Sequence, residues 1–158
     1  MTRTPEHILI VKLAQAAEAV ADGADEALTL LGPLPDDAAA FASLDVVQRT
    51  AARALLKAVE QQEDVLARLF RTFLSAEAFD TVPMTARDVA NIMEKLGGID
   101  DAYVWSDLVK LRNRLAHEYP VSSTAQLERV LEAAEAVPVL RSILVSTTRL
   151  LSDRGHLP

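Results

Sequence analysis

Leu55, Val59, Gln62, Leu66, Leu69 and Phe73 recur at alternating intervals of four and three residues, the spacing of one face of an α-helix. Ser43 supplies a capping hydroxyl before this stretch and Asp45 an acid for its first turn. The pattern therefore predicts one helix from Ser43 to Leu74, roughly 48 Å long. A helix of that length with one apolar face must bury that face against other elements. No stretch of the chain shows the period-two alternation of a strand, so the partners have to be helices and the fold class is all-α. Gln62 breaks the apolar stripe. It is expected at the stripe's edge, in solvent; the sharper alternative is that Gln62 or nearby Asp64 borders a cleft. Arg53, Arg68 and Arg71 read as charges on the solvated face.

The other elements follow from their start and stop signals. Thr4-Pro5-Glu6 opens a helix over Pro5–Val20. Gly23 is expected to interrupt it before a further turn at Ala27–Leu31, and Gly32-Pro33-Leu34-Pro35 breaks the chain. Ala76–Val82 reads as a connector. Thr85 caps a helix over Ala86–Leu96, which Gly97-Gly98 stops. The next helix spans Asp101–Glu118, with Val104, Leu108, Leu111 and Leu115 as its apolar stripe. Ser123 and Gln126 have capping-box spacing for a last helix. Its core face includes Val130, Leu131, Val137, Leu140, Ile143, Leu144 and Leu151, and Pro138 is expected to kink or split it. The expected organisation is a single domain over residues 1–158. It comprises an N-terminal helix and loop (1–42), an up-and-down four-helix bundle (43–151) and a loose tail (152–158).

Composition narrows the function classes. The chain has no cysteine, which excludes disulfides and thiolate chemistry and fits a reducing cytoplasm. No basic segment followed by an apolar run opens it, and no apolar stretch approaches the roughly 20 residues that span a bilayer. The net charge of −7 opposes broad non-specific binding of nucleic acid. No glycine-rich phosphate loop or metal-ligand cluster is evident, so neither a metal nor a cofactor is expected.

Chemistry concentrates in Leu111-Arg112-Asn113-Arg114-Leu115-Ala116-His117-Glu118-Tyr119-Pro120. The other two histidines, His7 and His156, lie near the termini. Asn113 and His117 are four apart and share a helix face. Arg112 is five residues from His117, about 140° around the helix, so one helix does not bring the two into contact. Both can line a groove if a second copy of the helix faces the first. Arginine is a permanent cation whose fork suits phosphate, and histidine moves protons near neutrality. The pair suits metal-free cleavage of RNA, in which the 2′-hydroxyl is the nucleophile and the protein stabilises the phosphorane charge. Lys110, Arg112, Arg114 and His117 form a local basic patch on an otherwise acidic chain.

Arg112-Asn113-x-x-x-His117-x-Tyr119 resembles the R-x4-H-x-Y signature of HEPN domains, specifically of the HepT-like toxins. Trp105-Ser106-Asp107-Leu108 before it and Pro120 after it fit the same pattern. The likeness is sharpest over Met84–Pro120. It implies a HEPN-type bundle and a homodimeric, metal-independent endoribonuclease of a type II toxin–antitoxin system. Arg112 and His117 are then catalytic, with Asn113 beside them and Lys110 and Arg114 contacting RNA. Tyr119 matches the tyrosine that a cognate MNT-like nucleotidyltransferase antitoxin AMPylates. The alternative is a non-catalytic HEPN module that binds nucleotide or docks such a partner. A helix-turn-helix DNA binder is disfavoured, because the would-be recognition helix opens on Asp100 and Asp101 and adds Asp107.

Overall fold

The structure is a computed structural model that describes residues 3–118 and 120–158. Six helices and no strand appear among the described residues: α1 (Pro5–Leu31), α2 (Ala38–Ala42), α3 (Val46–Ala76), α4 (Ala86–Leu96), α5 (Ala102–His117) and α6 (Ser123–Asp153). The fold is a helical bundle, as the periodicity requires. No helix is long and apolar enough to cross a membrane, among the described residues.

α3 is the axis of the bundle and touches α1, α4, α5 and α6. It begins later than expected. Asp45, not Ser43, is the N-cap: its carboxylate accepts from Gln48 N at 2.8 Å, and Gln48 Oε1 accepts from Asp45 N at 3.2 Å. That reciprocal box satisfies two backbone donors at once. Ser43 instead ends α2, its hydroxyl donating to the Ala39 carbonyl at 2.9 Å. Arg71 is not a solvated-face charge either, since it donates to the carbonyls of Thr81 and Met84 and ties the connector to α3.

α1 runs unbroken through Gly23 and is an integral member of the bundle, packed along α3 and α6. Its buried face includes Ala14, Ala17, Ala21, Ala24 and Ala27, and α3, against which it packs, buries Ala51 and Ala58. Small side chains on both helices permit close approach. The burial gained along this seam outweighs the roughly 1 kcal/mol that a mid-helix glycine costs.

α4 ends on Gly97, whose φ of 84° is the left-handed conformation of a C-cap. Gly98 follows it in a tight spot: a Cβ there would meet Met93 Cε at 2.5 Å and Leu150 Cδ2 at 3.0 Å, so those side chains would have to shift. α5 departs from its expected stripe at its N-terminal end. Ala102, Trp105, Leu108 and Leu111 are buried, whereas Val104 is exposed and Leu115 half-buried. Trp105 sets this orientation by packing on Phe70 of α3, ring centroids 4.7 Å apart. Burying an indole outweighs burying a valine.

α6 is capped by Ser122, one residue before the expected Ser123; Gln126 donates to the Pro120 carbonyl rather than closing a capping box. The helix is not split at Pro138, which is exposed while Val137 and Leu140 on either side are buried. The tail is not loose. His156 is buried, its Nε2 2.6 Å from Glu77 Oε1. Its ring stacks on His7 at 4.7 Å and meets Phe73 edge-on at 5.3 Å.

Candidate functional site

The C-terminal half of α5 carries the candidate residues. The helix ends at His117 because Glu118 is already extended, its N–H closing the last turn on the Arg114 carbonyl at 2.9 Å. Asn113 and His117 are both exposed, one turn apart. Lys110 is exposed one turn before Arg114. Tyr119 lies outside the described residues.

Arg112 is directed toward α3, not along its own helix. Its Nε is 2.8 Å from Asp64 Oδ1, a charge contact without hydrogen-bond alignment, and its Nη2 donates to Asp64 Oδ2 at 3.1 Å. Nη1 reaches Asn113 Oδ1 at 3.4 Å. The Asp64 contact holds the guanidinium pKa above its ordinary value. Among the described residues no hydrogen bond joins Arg112 to His117, as their five-residue spacing requires.

Behind this pair sits Glu63, 5% exposed, its Oε2 3.8 Å from Arg112 Nε. Burial raises its pKa to about 7, with Asp64 adding to the rise and Arg112 opposing it. The carboxyl is therefore poised between its neutral and charged forms near neutral pH. The sequence pointed to Asp64 as a residue that can border the cleft, and it reaches Arg112. Glu63 is not singled out by the sequence. Its signal is weak: it stands four residues after Val59 and three before Leu66, on the edge of the buried face. Gln62 corrects the expectation of a solvent-facing edge. It is buried, and both its amide atoms lack a protein hydrogen-bond partner among the described residues. It lines a water-sized void of about 10 Å³ with Ala21, Ala58 and Val137, under α1 and α6.

On the other side α5 is tied to α6. Arg114 Nη2 donates to Glu132 Oε2 at 2.5 Å, Arg129 donates to Glu132 at 3.3 Å, and Arg129 also pairs with Glu118. Of the basic patch, then, Arg112 and Arg114 are each paired to carboxylates, whereas Lys110 and His117 face solvent.

No protein-family model, curated protein or solved structure matches this chain. An exposed imidazole, a neighbouring carboxamide and a guanidinium steadied by two acids can move a proton and hold an anion. The arrangement on one chain is open to solvent and encloses no substrate.

Proposed function

We propose that this chain is a HepT-like HEPN endoribonuclease toxin, acting as a homodimer in which two copies of α5 face a common cleft. His117 takes the proton of the RNA 2′-hydroxyl. The 2′-oxygen then attacks the adjacent phosphorus, the bond to the 5′-oxygen breaks, and that oxygen takes a proton from a His117 imidazolium of the dimer. The products are a 2′,3′-cyclic phosphate and a 5′-hydroxyl. Arg112 stabilises the charge on the phosphorane, and Asn113 orients the reacting groups. Lys110 and Arg114 hold the flanking phosphates. The partners on this reading are the RNA substrate, a second copy of the chain and a cognate MNT-like nucleotidyltransferase antitoxin, which silences the toxin by adding AMP to Tyr119. Added phosphates there repel RNA.

The observation that carries the reading is the exposure of His117 and Asn113, one turn apart at the end of a helix whose Arg112 is oriented by Asp64. The test is cleavage of RNA by the purified chain in EDTA, beside His117→Ala. The expected result is 2′,3′-cyclic phosphate ends from the wild type and none from the variant. Equal cleavage by both sinks the assignment of His117.

A second reading, a non-catalytic HEPN module that binds nucleotide or docks a nucleotidyltransferase, is favoured by the acid partners of Arg112. Asp64 and Glu63 offset the one guanidinium that the enzyme needs, on a chain of net charge −7. A wild type with intact, unmodified mass that leaves RNA uncut moves the assignment to this module.

A further inference from the structure

A groove of about 570 Å³ lies between α2, α3 and α6, with Leu115 of α5 also in its lining. Its volume is that of a small-molecule site. Ala52, Leu56, Leu115 and Val130 form its apolar floor. Three arginines, Arg49, Arg53 and Arg129, reach it against one acid, Glu118, so the groove is cationic on an acidic chain.

The arginines differ in what they already hold. Arg129 is spent on Glu118 and Glu132. Arg49 donates through Nη1 to the Leu44 carbonyl at 2.6 Å, which fixes its guanidinium and leaves its other N–H groups for a ligand. Arg53 is exposed and makes no hydrogen bond or ion pair among the described residues. Arg49 and Arg53 are one turn apart on α3, and Leu56 follows at the next position on the same face. Two forked cations beside an apolar floor suit an anionic head group joined to an apolar body.

We propose that this groove is a binding site for a small organic anion, its carboxylate, sulfonate or phosphate held by Arg49 and Arg53 and its apolar body resting on Leu56, Leu115 and Val130. The inference is independent of whether the chain cuts RNA. Leu115 of α5 lines the groove, whereas His117, two residues on and about 200° around the helix, does not.

The probe is anilinonaphthalene sulfonate, an anion of this shape, titrated into the full chain and read by its fluorescence. Its neutral analogue phenylnaphthylamine serves as control. The wild type is expected to bind one sulfonate saturably, and the neutral analogue about tenfold more weakly, as loss of one charge-assisted contact implies. Arg53→Glu, at an exposed position, is expected to weaken the sulfonate by about tenfold or more and to leave thermal unfolding unchanged. Leu56→Trp fills the floor and is expected to abolish binding of both probes. Equal affinity for the neutral analogue overturns the anion site and leaves a merely apolar groove. Binding unaltered by both substitutions overturns the location. A groove that rejects the sulfonate yet binds a short RNA through Arg53 overturns the small-molecule assignment in favour of a nucleic-acid path.

Discussion

Arg112 of α5 lies across Asp64 of α3, Nε 2.8 Å from Oδ1 and Nη2 donating to Oδ2 at 3.1 Å. The bond both aims the guanidinium and competes with any phosphate for it. Both side chains keep contact with solvent, 27% for Arg112 and 43% for Asp64, so removing the charge costs under about 1 kcal/mol of stability. Asp64→Asn is expected to tighten binding of a short single-stranded RNA by about threefold at low salt, and to steepen the slope of log affinity against log salt by about 0.7, the gain of one phosphate contact. Fluorescence anisotropy in a His117→Ala background reads both without cleavage. Weaker binding in Asp64→Asn shows instead that Arg112 depends on Asp64 for its position.

Glu63 gives the molecule a pH dependence. Its carboxyl holds a proton more firmly in the folded chain, where its pKa is about 7, than in the unfolded chain, where the ordinary value is 4.5. The stability it contributes is therefore full below about 4.5 and is lost as pH rises through about 7. Glu63→Gln mimics the neutral form at every pH. Its unfolding free energy is expected to lie close to that of the wild type near pH 5 and to exceed it near pH 8 by about 1–3 kcal/mol, read as a higher melting temperature at the upper pH. Parallel melting curves across that range remove Glu63 as the source.

Lys110 and Arg114 are not equivalent, although they stand one turn apart in the same basic run. Arg114 is held by Glu132 at 2.5 Å, whereas Lys110 is exposed. A cation already paired releases little on meeting RNA, so Lys110→Ala is expected to reduce affinity for RNA by about threefold or more and Arg114→Ala by less. In stability the order reverses: Arg114→Ala loosens the α5–α6 tie and lowers the melting temperature, and Lys110→Ala does not. Anisotropy and thermal unfolding of the two variants decide it. Equal losses of affinity show that Glu132 releases Arg114 when RNA arrives.

The helices were legible because their signals are local. Thr85 and Gly97 with Gly98 bracket α4 as written, and the α3 stripe is the face that the bundle buries. What escaped the sequence depends on tertiary packing. Gly23 reads as a break only until the alanine seam between α1 and α3 is seen. Gln62 reads as a solvent-facing edge until α1 and α6 close over it. The α5 face was misread by one position because Trp105 finds Phe70, thirty-five residues earlier in the chain. The run from Arg112 to His117 was visible as a cluster of chemical groups. Which of them are paired with carboxylates was not, since those carboxylates, Asp64 and Glu132, belong to α3 and α6.

The tail supplies the last expected outcome. His156 is reached from three elements: Glu77 past the end of α3 bonds its Nε2 at 2.6 Å, His7 of α1 stacks on it, and Phe73 of α3 meets it edge-on. Arg154 adds a 2.9 Å contact to the other oxygen of Glu77. Removing residues 154–158 exposes part of Phe73 and leaves Glu77 without either partner. Loss of one buried aromatic contact set and its hydrogen bond is worth about 2 kcal/mol, which for a chain of this size lowers the melting temperature by about 4–8 °C. His156→Ala alone is expected to account for most of that fall and Arg154→Ala for little, because the Arg154 side chain is 44% exposed while the His156 ring is buried. Calorimetry of the truncated chain and the two variants separates the contributions, and an unchanged melting temperature on truncation shows that the tail clasp does not stabilise the bundle.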